Sequence, residues 1–143
     1  MSNKRLNSVE RFAWAFLQSL WVGGIWITLL VIFPTLNKSV LAPILAYNVI
    51  AELEPRIVLI ILVCVVLQLY LFIKTSGFGS LFNSPIGLAI IAVLLAAIVF
   101  LGVNSLGLLG YKLRGFLYFV IALLGLFLMF HLPPWLQKQR EIP

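Results

Sequence analysis

The side chains able to do chemistry are few, and they gather in two places. Gln18, Ser19, Trp21, Gly23, Gly24 and Trp26 crowd one apolar run, with Gln68 alone in a second. Glu52, Glu54 and Arg56 form a charged cluster around Pro55. Two carboxylates two residues apart can hold a cation or act as acid and base. A metal site wants more ligands, and no His, Cys or Asp lies nearby in sequence. The cluster therefore reads as a surface ion cluster at a solvated corner, with Arg56 pairing a neighbouring glutamate. The amides and indoles follow another logic. An unpaired polar group in hydrocarbon is costly, so Trp21 and Trp26 need acceptors, and Gln18 and Gln68 need partners of both kinds. Gln18 lies seven residues beyond Arg11 and Gln68 six before Lys74. At about 1.5 Å per residue both sit roughly 9–10 Å inside the basic helix ends. They are expected to share a depth and to bond each other or one polar ligand, the alternative being that each satisfies itself on a nearby backbone carbonyl or at the headgroups.

The elements that position these groups are apolar runs of membrane length. Residues 12–34, 55–73, 85–103 and 116–132 hold almost no ionisable side chains, and a helix needs roughly 20 apolar residues to cross hydrocarbon about 30 Å thick. Charged residues make up 10% of the 143 and apolar residues 63%, against about a quarter and a half in soluble domains. The sequence predicts an all-α fold, a four-transmembrane-helix bundle forming a single integral membrane domain over residues 1–143. Proline and glycine mark its boundaries. Glu54-Pro55 opens the second span as a first-turn pair, and Lys74-Thr75-Ser76-Gly77 closes it. Asn83-Ser84-Pro85 caps the third, which ends either near Asn104 or at Leu109 before Gly110. His131-Leu132-Pro133-Pro134 stops the fourth. Between the first two spans, residues 38–53 carry helical spacing, with Val40, Leu41, Ile44, Leu45 and Val49 on one face. This stretch is predicted to be a separate amphipathic helix outside the cytoplasm, lying at the outer membrane surface or folded against the bundle.

Within the first span, Ser19-xxx-Gly23 is a small-xxx-small pair of the kind that packs helices in lipid. The span is expected at the centre of the bundle, with an indole-lined pocket beside Gly23 and Gly24 as the alternative. Trp14, Tyr70 and Trp135 are expected to form one aromatic belt, and Tyr47, Tyr111 and Tyr118 the other. The basic N-terminal stretch precedes an apolar run about twice the length of a signal h-region, without a small-x-small cleavage site, so it reads as a retained span. Lys4, Arg5, Arg11, Lys74, Lys138 and Arg140 fall on one side and Lys38, Arg56, Lys112 and Arg114 on the other. That bias places both termini in the cytoplasm and the chain in an inner (plasma) membrane. The net charge of +6 is spread over the helix ends, where it meets lipid headgroups rather than nucleic acid.

Several activities lack their parts. Glu10, Glu52, Glu54 and Glu141 all fall outside the predicted spans, which removes the intramembrane carboxylate that proton-coupled transport uses. Ser19 lies far from the lone His131, and neither sits in a nucleophile motif. Cys64 has no thiol partner in the chain. The Gly77-Phe78-Gly79-Ser80 loop lacks the lysine of a phosphate cradle.

Trp21-Val22-Gly23-Gly24 in a first span ending at Phe33-Pro34, an amphipathic stretch and a charged proline entry to the second span follow in order. That order resembles the small four-helix family of transmembrane protein 205 and its bacterial relatives, over residues 12–75. The resemblance implies a membrane protein without an assigned enzymatic activity. Members often carry a polar segment with histidine before the last helix; Gly110, Tyr111, Lys112, Arg114 and Gly115 stand there in this chain. The same Trp-Val-Gly-Gly also resembles the first helix of copper-resistance and protoporphyrinogen-oxidase membrane families. Those place a haem or metal histidine about two turns upstream, where this chain has Trp14.

The reading that follows is non-catalytic: an accessory or scaffold protein packing against a larger membrane complex, a second copy or lipid, with no cofactor and no metal. A carrier or channel for a small or apolar solute is the alternative, and a haem- or copper-associated role ranks third.

Overall fold

The computed structural model describes residues 8–38, 43–105 and 111–131. Regular structure among them is helical throughout: α1 (Ser8–Lys38), α2 (Pro43–Ser76), the single turn α3 (Ser80–Asn83), α4 (Pro85–Ser105) and α5 (Tyr111–Phe130). The four long helices are each long and apolar enough to cross a membrane. They pack as an up-down-up-down ring, α1 on α2, α2 on α4, α4 on α5 and α5 back on α1. Only 22–39% of each span's most apolar window is buried inside the molecule. Phe12, Leu30, Ile60, Leu95 and Phe130 all point outward. Water would penalise that surface, and lipid does not.

Two boundaries form as the local chemistry dictates. Gly77 takes φ 81° and its N–H closes on the Ile73 carbonyl at 3.0 Å, a left-handed stop that glycine adopts without a Cβ penalty. Ser84 caps α4, its Oγ accepting from the Gly87 N–H at 3.0 Å, and Pro85 takes the first helical position. Gly87 has a second role. A Cβ there would stand 2.2 Å from the Leu81 carbonyl oxygen, so the α3 turn can lie against α4 only at glycine.

Elsewhere the helices run past the residues expected to end them. α1 continues through Pro34 to Lys38, and it does so by widening. Thr28–Ile32 is a π-helical turn between α-helical Ser8–Ile27 and Phe33–Lys38. A proline ring strikes the carbonyl four residues back, here Leu30, and the wider turn gives it room. Thr35 and Thr28 bond the carbonyls of Val31 and Gly24 across the same region. α2 runs through Pro55 without a break over 34 residues, about 51 Å at 1.5 Å per residue.

The stretch predicted as a separate amphipathic helix is therefore the first third of α2 from Pro43 onward. Its inward face is also different, with Ala46 and Ile50 buried while Ile44, Leu45 and Val49 are exposed. Helical spacing alone leaves the rotation of the face open, and the packing of Ala46, Ile50 and Glu54 sets it. α5 begins at Tyr111 rather than at Phe116, so Lys112 and Arg114 are helical. α4 reaches Ser105; Leu109, Gly110, residues 39–42, Trp135 and the prolines after His131 lie outside the described residues.

The core is one column of side chains. α1 contributes Trp21, Val22 and Ile25, α2 contributes Val58, Ile61, Val65 and Phe72, α4 contributes Ile90, Val93, Ala97 and Phe100, and α5 contributes Tyr118, Ile121 and Ala122. The centre of the bundle does not belong to α1. Its most apolar window is the least buried of the four, and that of α4 is the most.

Candidate functional site

Gln68 is 1% exposed and supplies the first of two polar knots in the core. The Trp21 indole Nε1–H donates to Gln68 Oε1 at 3.0 Å, and Gln68 Nε2 donates to the Trp14 carbonyl at 3.5 Å. One amide thus satisfies an indole and a backbone oxygen of α1. Gln18 is half-buried and is not the partner of Gln68. Gln18 departs from the expected pairing in azimuth, because Trp14 and Trp21, seven residues apart, occupy the face of α1 turned to α2. Trp14 is buried at this level against Phe72 rather than in an interfacial belt. Trp26 packs on the core with its Nε1 buried and without an acceptor.

The glycines of α1 take part in none of this. A Cβ at Gly23 or Gly24 would meet nothing within 4 Å, and Ser19 is exposed. The close glycine contact of the first helix is instead on α5. A Cβ at Gly125 would stand 2.9 Å from the Trp21 ring, so Gly125 is where α5 accepts that indole.

The second knot lies at the opposite end of the bundle. Glu54 is 6% exposed and its Oε2 accepts from Arg114 Nη2 at 3.0 Å. The same Nη2 donates to the Ala51 carbonyl at 3.0 Å. That carbonyl is the one Pro55 leaves without its helical N–H partner, so Arg114 repairs the proline break and neutralises the carboxylate together. This is why α2 passes through Pro55 as one helix. Glu52 and Arg56 do form the expected surface pair, at 3.7 Å with side chains 77% and 76% exposed, a geometry worth little. Glu54 departs from the expectation of a solvated corner, since its place four and eight residues beyond Ile50 and Ala46 points it inward.

Height follows from the helix rise. Twenty residues of α2 separate Glu54 from Lys74, about 30 Å, the thickness of a hydrocarbon core. Lys74 pairs with Glu10 of α1. The Glu10–Lys74 pair and the Glu54–Arg114 pair therefore bracket one bilayer thickness.

A cleft of about 200 Å³ opens beside Glu54, lined by Leu29, Phe33 and Asn37 of α1, Ile50 and Glu54 of α2, and Lys112, Gly115 and Tyr118 of α5. Its α1 wall contains the π-helical turn. Tyr118 is fully buried, with its ring against Phe33 and Phe100 at 5.7 and 6.5 Å. Its hydroxyl lies beside Thr28, whose Oγ1 donates to the Gly24 carbonyl, and makes no hydrogen bond of good geometry. Arg114 Nε is likewise buried without a partner. None of Trp21, Gly23, Gly24 or Trp26 lines this cleft.

No family model, curated protein or solved structure matches the chain. Sequence reasoning missed Arg114 and Tyr118, assigning one to a connection and the other to an aromatic belt. The available signal was Pro55 itself: a proline inside an apolar run leaves a carbonyl in need of a donor, and Arg114 and Lys112 are the basic residues at that height on α5.

Proposed function

We propose that this chain is a non-catalytic accessory or scaffold protein of an inner (plasma) membrane, with both termini cytoplasmic, that acts by packing its first helix against another membrane protein or a second copy. The resemblance to the transmembrane protein 205 family belongs to the same proposal. One observation carries the reading. The small residues of α1, Ser19 and Gly23, form a face with open space over the glycine, while the internal contacts of α1 are made by Trp14, Trp21, Val22 and Ile25. Small residues let helix backbones approach closely in lipid, and among the described residues no other helix uses them. The buried polar groups are occupied in holding the bundle together, Gln68 with Trp21 and Glu54 with Arg114, which fits a structural role.

Gly23→Leu tests the proposal cleanly, because the new side chain enters open space and leaves the bundle intact. Wild-type protein in mild detergent is expected to co-purify with a stoichiometric partner or to run as a dimer, and the variant to run as a monomer with an unchanged melting temperature. A monodisperse wild-type monomer that carries a small solute into liposomes would replace this reading with the carrier.

A further inference from the structure

We infer that the cleft beside Glu54 is a binding site for the anionic headgroup of a membrane lipid, independent of the packing face on α1. The sign of the ligand comes from what is already satisfied. The charge of Glu54 is met by Arg114 at 3.0 Å, which leaves no uncompensated negative charge in the cleft to attract a cation. The groups still unmatched are donors. The Tyr118 hydroxyl is fully buried on the cleft wall and makes no hydrogen bond of good geometry. Lys112 lines the mouth, is exposed, and forms no ion pair among the described residues. Buried polar groups without a partner are rare and call for one. A phosphate or carboxylate oxygen supplies the acceptor that these donors lack, and charge-assisted hydrogen bonds of this kind are the strong ones.

The cleft also lies where a lipid presents that group. It sits about one hydrocarbon thickness from the Glu10–Lys74 pair, at headgroup height, and Leu29, Phe33 and Ile50 give it an apolar side on which acyl carbons can rest. Its volume of about 200 Å³ is below the roughly 300–1,000 Å³ of pockets that enclose whole drug-sized ligands. It suits a headgroup whose chains stay in the bilayer. The π-helical turn Thr28–Ile32 matters here because it continues α1 past Pro34, carrying Phe33 and Asn37 over the cleft.

The test uses the full chain in nonionic detergent, with bound lipid read by native mass spectrometry during titration with phosphatidylglycerol or with phosphatidylcholine of the same acyl chains. One phosphatidylglycerol per chain should be retained preferentially. Removing a hydrogen bond to a charged group costs about 1.5 kcal/mol or more, so Lys112→Gln and Tyr118→Phe should each weaken retention about tenfold. Tyr118→Phe keeps the ring packing, and a melting curve like that of the wild type separates lost binding from lost folding. Lys38→Gln, exposed at the same end but outside the cleft, should leave binding unchanged. Equal retention of the two lipids, or unchanged retention in both cleft variants, overturns the inference. Inorganic phosphate that displaces phosphatidylglycerol and raises the melting temperature as strongly overturns the lipid assignment and makes the ligand a free oxyanion.

Discussion

At the scale of single residues, two side chains hold most of the buried polarity, and each does so by serving two partners. Gln68 accepts a hydrogen bond from Trp21 and donates one to the Trp14 carbonyl. Interhelical bonds of this kind in membranes are worth about 0.6–2 kcal/mol, enough to fix which face of α1 meets α2. Arg114 is bound more deeply into the fold, since it pairs Glu54 and also satisfies the Ala51 carbonyl that Pro55 strands. Breaking a buried ion pair by removing one partner costs about 3–5 kcal/mol, and Arg114→Met is expected to lose that much. In a Pro55→Ala background the Ala51 carbonyl regains a backbone donor, so the same substitution should cost about 1 kcal/mol less. Reversible unfolding in mixed micelles measures the four corners of this cycle. Equal costs in the two backgrounds would show that Arg114 acts on Glu54 alone. The contrast with Glu52–Arg56, exposed at 3.7 Å, is one of solvent: the same charge types on residues two positions either side of Glu54 contribute almost nothing.

At the scale of elements, α1 is shaped by the tension between Pro34 and the need to keep Phe33 against Tyr118, 5.7 Å between ring centres. A π-helical turn holds one residue more than an α-helix over the same height. Removing Val31 is therefore expected to convert Thr28–Ile32 to regular helix while leaving Trp21 and Phe33 facing their partners. Removing Leu20 has no such slack to draw on. It rotates everything between it and the π turn by about 100°, taking Trp21 off Gln68. The Val31 deletion should keep a cooperative melt and the Leu20 deletion should lose it; equal loss in both would mean the wide turn is not where the extra residue is stored. α3 shows the opposite economy, a turn whose approach to α4 depends on one missing Cβ at Gly87.

For the whole molecule, four antiparallel spans place the start of α1 and the end of α5 at one end of the bundle, with the Glu54 cleft at the other. If the basic residues orient the chain as proposed, reporters fused at the N-terminus and after Lys138 should both read cytoplasmic. A cysteine at Asn37, exposed at the cleft, should then react with an impermeant reagent added from outside. Cytoplasmic labelling of Asn37 would invert the topology and move the cleft to the inner leaflet.

What the sequence determined by itself is what depends on near neighbours. The existence of four apolar runs, the glycine stop at Gly77 and the Ser84-Pro85 cap follow from composition and local backbone chemistry. Which face of each helix turns inward, and which partner meets each polar group, depends on how the whole bundle packs. Pro34 and Pro55 look like helix ends because the local rule for proline is strong. They are overridden by a widened turn in one case and by a guanidinium 59 residues away in sequence in the other. Once α2 is continuous, Glu54 moves from a corner into the bundle, and Gln68 meets Trp21 instead of Gln18. Height along a helix is legible in residue counts; azimuth is a collective property of packing, and it places the donors of the cleft.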